Sequence, residues 1–82
     1  MTAVTLYTRP GCHLCDEARE QLLEIRGAGP GFELREIDIE QDERLHARYL
    51  ERIPVVEIEG RIVSELVLDG DAVRSRLDTV AA

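Results

Sequence analysis

The sequence predicts an α/β fold: a four-stranded mixed sheet with helices on both faces, a three-layer α/β/α sandwich. Three observations carry this. Apolar runs of strand length alternate with stretches of helical periodicity in the order β-α-β-α-β-β-α. Strands joined through a helix pair in parallel, whereas the last two strands are separated only by a tight turn and pair antiparallel. Finally, 82 residues, 44% hydrophobic and 33% charged, suit one globular domain spanning residues 1–82 with one core.

Taken in order, Ala3 to Thr8 is a β-branched and aromatic run closed by Pro10-Gly11, hence a strand and a turn. A helix follows from Cys12 to about Arg26, with Leu14, Ala18, Leu22 and Ile25 on one stripe. Asp16 and Glu17 stand in its early turns and Arg26 near its end, as the helix dipole favours. Gly27-Ala28-Gly29-Pro30-Gly31 stops it. Phe32 to Ile39 reads as a second strand whose alternation changes phase near Arg35-Glu36, so a bulge or burial on both faces is expected. Asp42 to about Leu50 is a short helix with Leu45 and Tyr49 four residues apart. Val55 to Glu59 and Ile62 to Leu68 form a hairpin through the turn at Glu59-Gly60-Arg61. Asp69-Gly70-Asp71 opens the last helix, with Val73, Leu77 and Val80 on one face.

The formal net charge of −7 disfavours nucleic acid and anionic membranes as partners, since both are bound through clustered cations. Every basic residue except the two histidines is arginine, which points to genome composition rather than function. No apolar stretch approaches the roughly 20 residues of a membrane span, and Met1 to Leu6 lacks the pattern of a signal peptide. A cytoplasmic location is expected, where paired cysteines tend to be catalytic or redox-sensing.

The chemistry is concentrated in Cys12-His13-Leu14-Cys15, which holds both cysteines of the chain. Two thiols two residues apart at a helix start form a redox pair or half of a metal site. They lie within one turn, close enough to bond to each other. Cys12 sits where unpaired backbone N–H groups and the dipole favour an anion, which makes it the reactive thiolate and leaves Cys15 as the buried resolving thiol. A metal site would need four ligands, and only His13 and His46 could add to the cysteines, so no metal is expected. A protonated His13 would stabilise the Cys12 thiolate, although a helix N-terminus disfavours a cation; Asp16 and Glu17 oppose the thiolate. Tyr7 reads as a core aromatic and His46 as a surface residue.

Strand, motif, helix and a distant Ile53-Pro54-Val55 leading into a strand, in that order, resemble a glutaredoxin-like member of the thioredoxin superfamily. The resemblance covers nearly the whole chain and rests on Tyr7 to Cys15 and on Ile53-Pro54-Val55, some 40 residues later. It implies the thioredoxin fold and thiol-disulfide oxidoreductase activity through a redox-active Cys12–Cys15 disulfide, with no bound cofactor. It also implies a cis proline at Pro54 that turns the Ile53 backbone outward to pair with an extended substrate. Arg9, His13, Leu14, Ile53 and Pro54 become the candidate substrate-binding residues.

The departures bear on glutathione. Glutaredoxins usually carry Cys-Pro-Tyr-Cys and Thr-Val-Pro, where this chain has Cys-His-Leu-Cys and Arg52-Ile53-Pro54. The Gly-Gly pair that holds the γ-glutamyl end of glutathione is replaced by Ser64-Glu65. Arg9 matches a basic residue that glutaredoxins use, but a glutamate in the glycine position repels an anionic tripeptide. Weak glutathione use is therefore expected. The partners implied are a disulfide-containing protein or small thiol and a recycling reductant, acting on a monomer. A second reading keeps the fold but makes the chain a redox sensor, an iron–sulfur bridge between two chains or a binding module; catalytic turnover separates the two.

Overall fold

A computed structural model of the chain describes residues 2–29 and 31–81. Its first strand, β1 (Ala3–Thr8), is divided by alternation. Val4 and Leu6 are fully buried in one core, while Tyr7 packs into a second core across the sheet.

Helix α1 (His13–Ala28) is capped by Cys12 and runs through Gly27, two residues beyond the expected end. Gly29 closes it with a φ of 83°, and its amide donates to the Ile25 and Arg26 carbonyls. The left-handed position that ends a helix thus falls on the second glycine of the run, not the first. Pro30, read as part of the stop, lies outside the described residues. The buried stripe is Cys15, Ala18, Leu22 and Ile25, whereas Leu14, expected at its head, is exposed. Leu14 and Cys15 flank the stripe on opposite edges, about 100° apart around the helix, and the first turn leans on the sheet by its Cys15 edge.

Strand β2 (Glu33–Asp38) pairs with β1 in parallel, in unbroken register from Ala3↔Glu33 to Thr8↔Asp38. It is neither bulged nor buried on both faces. The apparent change of phase arises because the apolar ends of the run belong to its flanks. Phe32 is buried before the strand begins, and Ile39 is buried at the start of a short 3-10 helix (Ile39–Gln41) that the pattern did not predict. The Asp38 carboxylate caps that helix by accepting from the Glu40 amide at 2.9 Å.

Helix α2 (Glu43–Tyr49) is capped by Asp42, which accepts from the amides of Arg44 at 2.8 Å and Leu45 at 3.4 Å. Strands β3 (Val55–Ile58) and β4 (Arg61–Ser64) form the hairpin. Glu59 and Gly60 form its turn with φ of 49° and 82°, the pair of positive values a type I′ turn needs. The hairpin carries a bulge opposite Val56 and Glu57. Strand β4 stops at Ser64, short of Leu68, because the chain turns away through Leu66 at a φ of 60°. Ser64 Oγ accepts from the Asp69 amide at 3.0 Å, and the Leu66 amide donates to the Arg52 carbonyl at 2.9 Å. Helix α3 (Gly70–Ala81) then begins, with the Asp69 carboxylate accepting from the Ala72 amide at 3.1 Å.

The sheet order is β2-β1-β3-β4, with β1 and β2 parallel and the other pairs antiparallel. Helices α1 and α3 cover one face, where Ala18, Leu22, Ile25, Val73 and Leu77 meet Val4, Leu6, Val56 and Ile58. Tyr49 of α2 covers the other face with Ile39, Ile53, Val55 and Cys15. The result is the mixed four-stranded α/β/α sandwich of the thioredoxin fold.

Candidate redox site

Tyr7 pairs with Val55. The Ile53-Pro54 junction therefore enters the sheet at the end where β1 leaves it for the cysteine loop. The loop turns at Gly11, whose φ of 78° favours glycine. Cys12 follows with an extended φ and ψ and caps α1. Its Sγ accepts from the Cys15 amide at 3.1 Å, so one of the unpaired donors of the helix start is aimed at this sulfur.

Cys12 and Cys15 are joined by a disulfide, with Cα atoms 5.2 Å apart. The pair is asymmetric in exposure: Cys15 is fully buried in the second core, while Cys12 is only partly covered. An incoming group therefore meets the Cys12 sulfur first. Leu14 projects from the same turn as an exposed apolar side chain, and His13 beside it is exposed.

The Ile53–Pro54 peptide bond is cis, and both residues are buried. Ile53 shares the second core with Cys12 and Cys15. Its amide donates to the Tyr49 carbonyl at 3.0 Å and closes the end of α2. Arg9 is paired with Glu40 at 3.2 Å, which ties the cysteine loop to the 3-10 helix. An open pocket of about 230 Å³ lies between Arg9, Gly11, Asp16, Arg19 and Asp38. Its charges are balanced, two arginines against two aspartates. Arg19 bridges Asp16, at 3.4 Å, and Glu36 of β2. Those carboxylates, Glu36 foremost, hold its guanidinium firmly charged.

The sequence reading missed the polar part of this face. The Tyr7 ring stacks on Tyr49 with centroids 4.7 Å apart, and the Arg48 guanidinium lies 5.9 Å from the Tyr49 ring centre. Burial, and then the Glu57 carboxylate, push the Tyr7 hydroxyl above its ordinary pKa. Alternation along the strands carried this signal: Thr5, Tyr7, Val55 and Glu57 share one face, opposite Leu6 and Val56. Among the described residues, no group of three or more His, Cys, Asp or Glu side chains is placed to hold a metal ion, and no helix is long and apolar enough to cross a membrane.

Comparison with known proteins agrees with this geometry. The family model described as a glutaredoxin-like domain (DUF836) matches residues 3–78. An uncharacterized protein of Mycobacterium tuberculosis is 34% identical over 77 residues, covering 88% of this chain and 78% of its own. A protein of Nitrosomonas europaea solved by NMR superposes with a TM-score of 0.83 at 32% identity, covering 93% of this chain and 91% of that one. A crystal structure from Xanthomonas campestris gives 0.71 at 36% identity, covering 93% and 96%. At the level of fold alone, a thioredoxin from Halobacterium salinarum superposes with a TM-score of 0.66 at 18% identity, covering 95% and 73%.

Proposed function

This chain belongs to the glutaredoxin-like domain family (DUF836), and from that premise we propose that it is a thiol-disulfide oxidoreductase working through Cys12 and Cys15. One observation supports this above the others. Cys12 sits at the amide end of α1 with its sulfur partly open, and Cys15 is bonded to it from full burial. That asymmetry suits one attacking and one resolving thiol.

In the reduced protein the Cys12 thiolate attacks one sulfur of a substrate disulfide. A Cys12–substrate disulfide forms, and the departing substrate thiolate takes up a proton. The Cys15 thiol, losing its proton, then attacks Cys12 Sγ and displaces the second substrate thiolate. The Cys12–Cys15 bond closes, the pair has lost two electrons and the substrate has gained two. The oxidised pair is the state in this structure. A cellular thiol or dithiol reductant returns it to the dithiol. The substrate class is a disulfide-bearing protein or small disulfide, the acting species is a monomer, and the compartment is the reducing cytoplasm. Arg9, His13, Leu14 and Ile53-Pro54 border the route to Cys12.

The test is turnover of a protein disulfide and of a small disulfide, with NADPH consumption followed through glutathione plus glutathione reductase and, separately, through thioredoxin reductase. Many turnovers with at least one system, abolished by Cys12→Ser, are expected. A single stoichiometric event with every donor would overturn the enzymatic reading in favour of a redox sensor or binding module.

A further inference from the structure

At the far end of the sheet from the cysteines, β4 and α3 enclose a groove of about 360 Å³. Strand β4 is an edge strand, so its outer side has no neighbour in the sheet. The groove is lined by Arg61, Ile62 and Val63 from β4 and by Ala72, Ser75, Arg76 and Thr79 from α3. No carboxylate lines it, although the chain carries 17 acidic residues against 10 basic ones.

Neither arginine forms an ion pair among the described residues; Arg9, Arg19, Arg35 and Arg74 do, and Arg26, Arg44, Arg48 and Arg52, also without one, do not line this groove. Glu59, the acid nearest Arg61 in sequence, is engaged by the Ala3 amide at 3.0 Å. Asp78, two residues from Arg76, lies about 200° around the helix from it and so faces away. Arg76 Nε is also buried and has no hydrogen-bond partner among the described residues, a state it shares with Arg9 Nε, whose guanidinium, unlike that of Arg76, is held by Glu40. A buried donor on a charged group is costly to leave unpaired, so an acceptor belongs there, either water or an oxygen of a bound anion.

We propose that the β4–α3 groove binds the phosphate group of a small metabolite between Arg61 and Arg76. The donor set fits this chemistry. A planar carboxylate is satisfied by one guanidinium in two parallel bonds, whereas a tetrahedral dianion presents oxygens to two guanidinium groups at once. Ser75 adds a hydroxyl donor. The Ser75 backbone carbonyl already accepts the Thr79 hydroxyl proton at 3.0 Å, which leaves the threonine as wall rather than donor. Nucleic acid and anionic lipid carry the same group, but the charge of −7 on the whole chain repels both polyanions. A single phosphate in a small groove meets only the local positive field. This site is independent of the redox reading.

The experiment follows the arginine Nε–Hε resonances of the 15N-labelled full chain by NMR. Inorganic phosphate and glycerol phosphate are titrated at constant ionic strength, with acetate as the carboxylate comparison. Saturable shifts of the Arg61 and Arg76 signals are expected, with a dissociation constant on the order of 1 mM. Arg76→Gln and Arg61→Gln should each weaken binding by about tenfold or more. Arg35→Gln, on the opposite edge of the sheet, should leave it unchanged. Non-saturating shifts, equal binding by the Arg76→Gln protein with its amide spectrum intact, or acetate binding as tightly as phosphate would each overturn the proposal. Tighter binding of glycerol phosphate than of inorganic phosphate would support an organic phosphate as the ligand.

Discussion

The sulfur of Cys12 accepts the Cys15 amide proton at 3.1 Å in the disulfide state, and the same donor retained after reduction would face a thiolate. A hydrogen bond to the charged form lowers a pKa, and so does the positive end of a helix dipole. Asp16, in the same turn, works against both, but its carboxylate is engaged by Arg19. We therefore expect Cys12 to titrate below the ordinary thiol value of about 8.5 and to alkylate faster than Cys15. Asp16→Asn should lower its pKa further, and Arg19→Gln should raise it by releasing Asp16. Alkylation rate against pH measures all three; equal rates for the two cysteines would refute the assignment of Cys12 as nucleophile. Cys15→Ser should trap a Cys12–substrate disulfide. Tyr7 gives a second residue-scale prediction. Its hydroxyl is raised in the folded state by burial first and by Glu57 next. An acid whose pKa is raised on folding resists ionisation there, so the stability it carries is complete below the unfolded value of about 10 and is lost as pH rises through the folded value. Tyr7→Phe should flatten the alkaline limb of the stability curve above about pH 10, and an unchanged limb would assign it to other groups.

At the scale of elements, α2 is only seven residues long, too short to persist without its cap and its packing. Asp42 satisfies two of its unpaired amides, so Asp42→Ala should lower stability by about 1 kcal/mol, read as a shifted denaturation midpoint at constant slope. Because α2 carries Tyr49 onto the second core, the loss should also deprotect the Ile53 amide to hydrogen exchange, which is bonded to the Tyr49 carbonyl. Element order and hairpin were legible because they follow from local signals: Pro10-Gly11 after a β-branched run, a glycine run after a helical stripe, Glu59-Gly60 between two apolar runs. Boundaries were less legible where the competing signals are tertiary. The phase of β2 misled because Phe32 and Ile39 are buried by neighbours outside the strand. Strand β4 ends where the chain turns away through Leu66 at positive φ, a turn bridged by the Ser64–Asp69 hydrogen bond that spacing does not announce. In the site, the cysteine pair was plain from its spacing and helix position. The engagement of Arg9 by Glu40 depends on a partner 31 residues away, brought near only by the fold, and that of the Ile53 amide by Tyr49 on a last helical turn closing just before Pro54, where the pattern reads as strand entry.

For the whole molecule, we predict that the placement of charge decides which small thiol can serve it. Glutathione is an anionic tripeptide, and what it meets is set by the charges near the cysteines rather than by the net −7. Of the two positions at which glutaredoxins offset its charge, one is matched in sequence and the other is changed. Arg9 is present but spends its charge on Glu40. Ser64-Glu65 replaces the glycine pair, and the two residues act differently in the fold. Ser64 is buried with its hydroxyl turned inward to Asp69, so it does not obstruct a ligand, whereas Glu65 is exposed at the end of β4. We therefore predict that the obstacle is the Glu65 charge rather than bulk at both positions. Glutathione should bind and reduce this protein poorly compared with a dithiol glutaredoxin. Glu65→Gly should strengthen binding several-fold, and Glu40→Gln should add to it by freeing Arg9. Ser64→Gly should instead reduce stability, since the Asp69 amide loses its part-buried acceptor. Raising ionic strength from about 0.01 M to 0.15 M shortens the Debye length from about 30 to 8 Å, so salt should aid the wild type more than the Glu65→Gly protein. Glutathione-dependent turnover by the unmodified chain at the rate of a dithiol glutaredoxin, or no gain on removing Glu65, would show that charge is not what limits it.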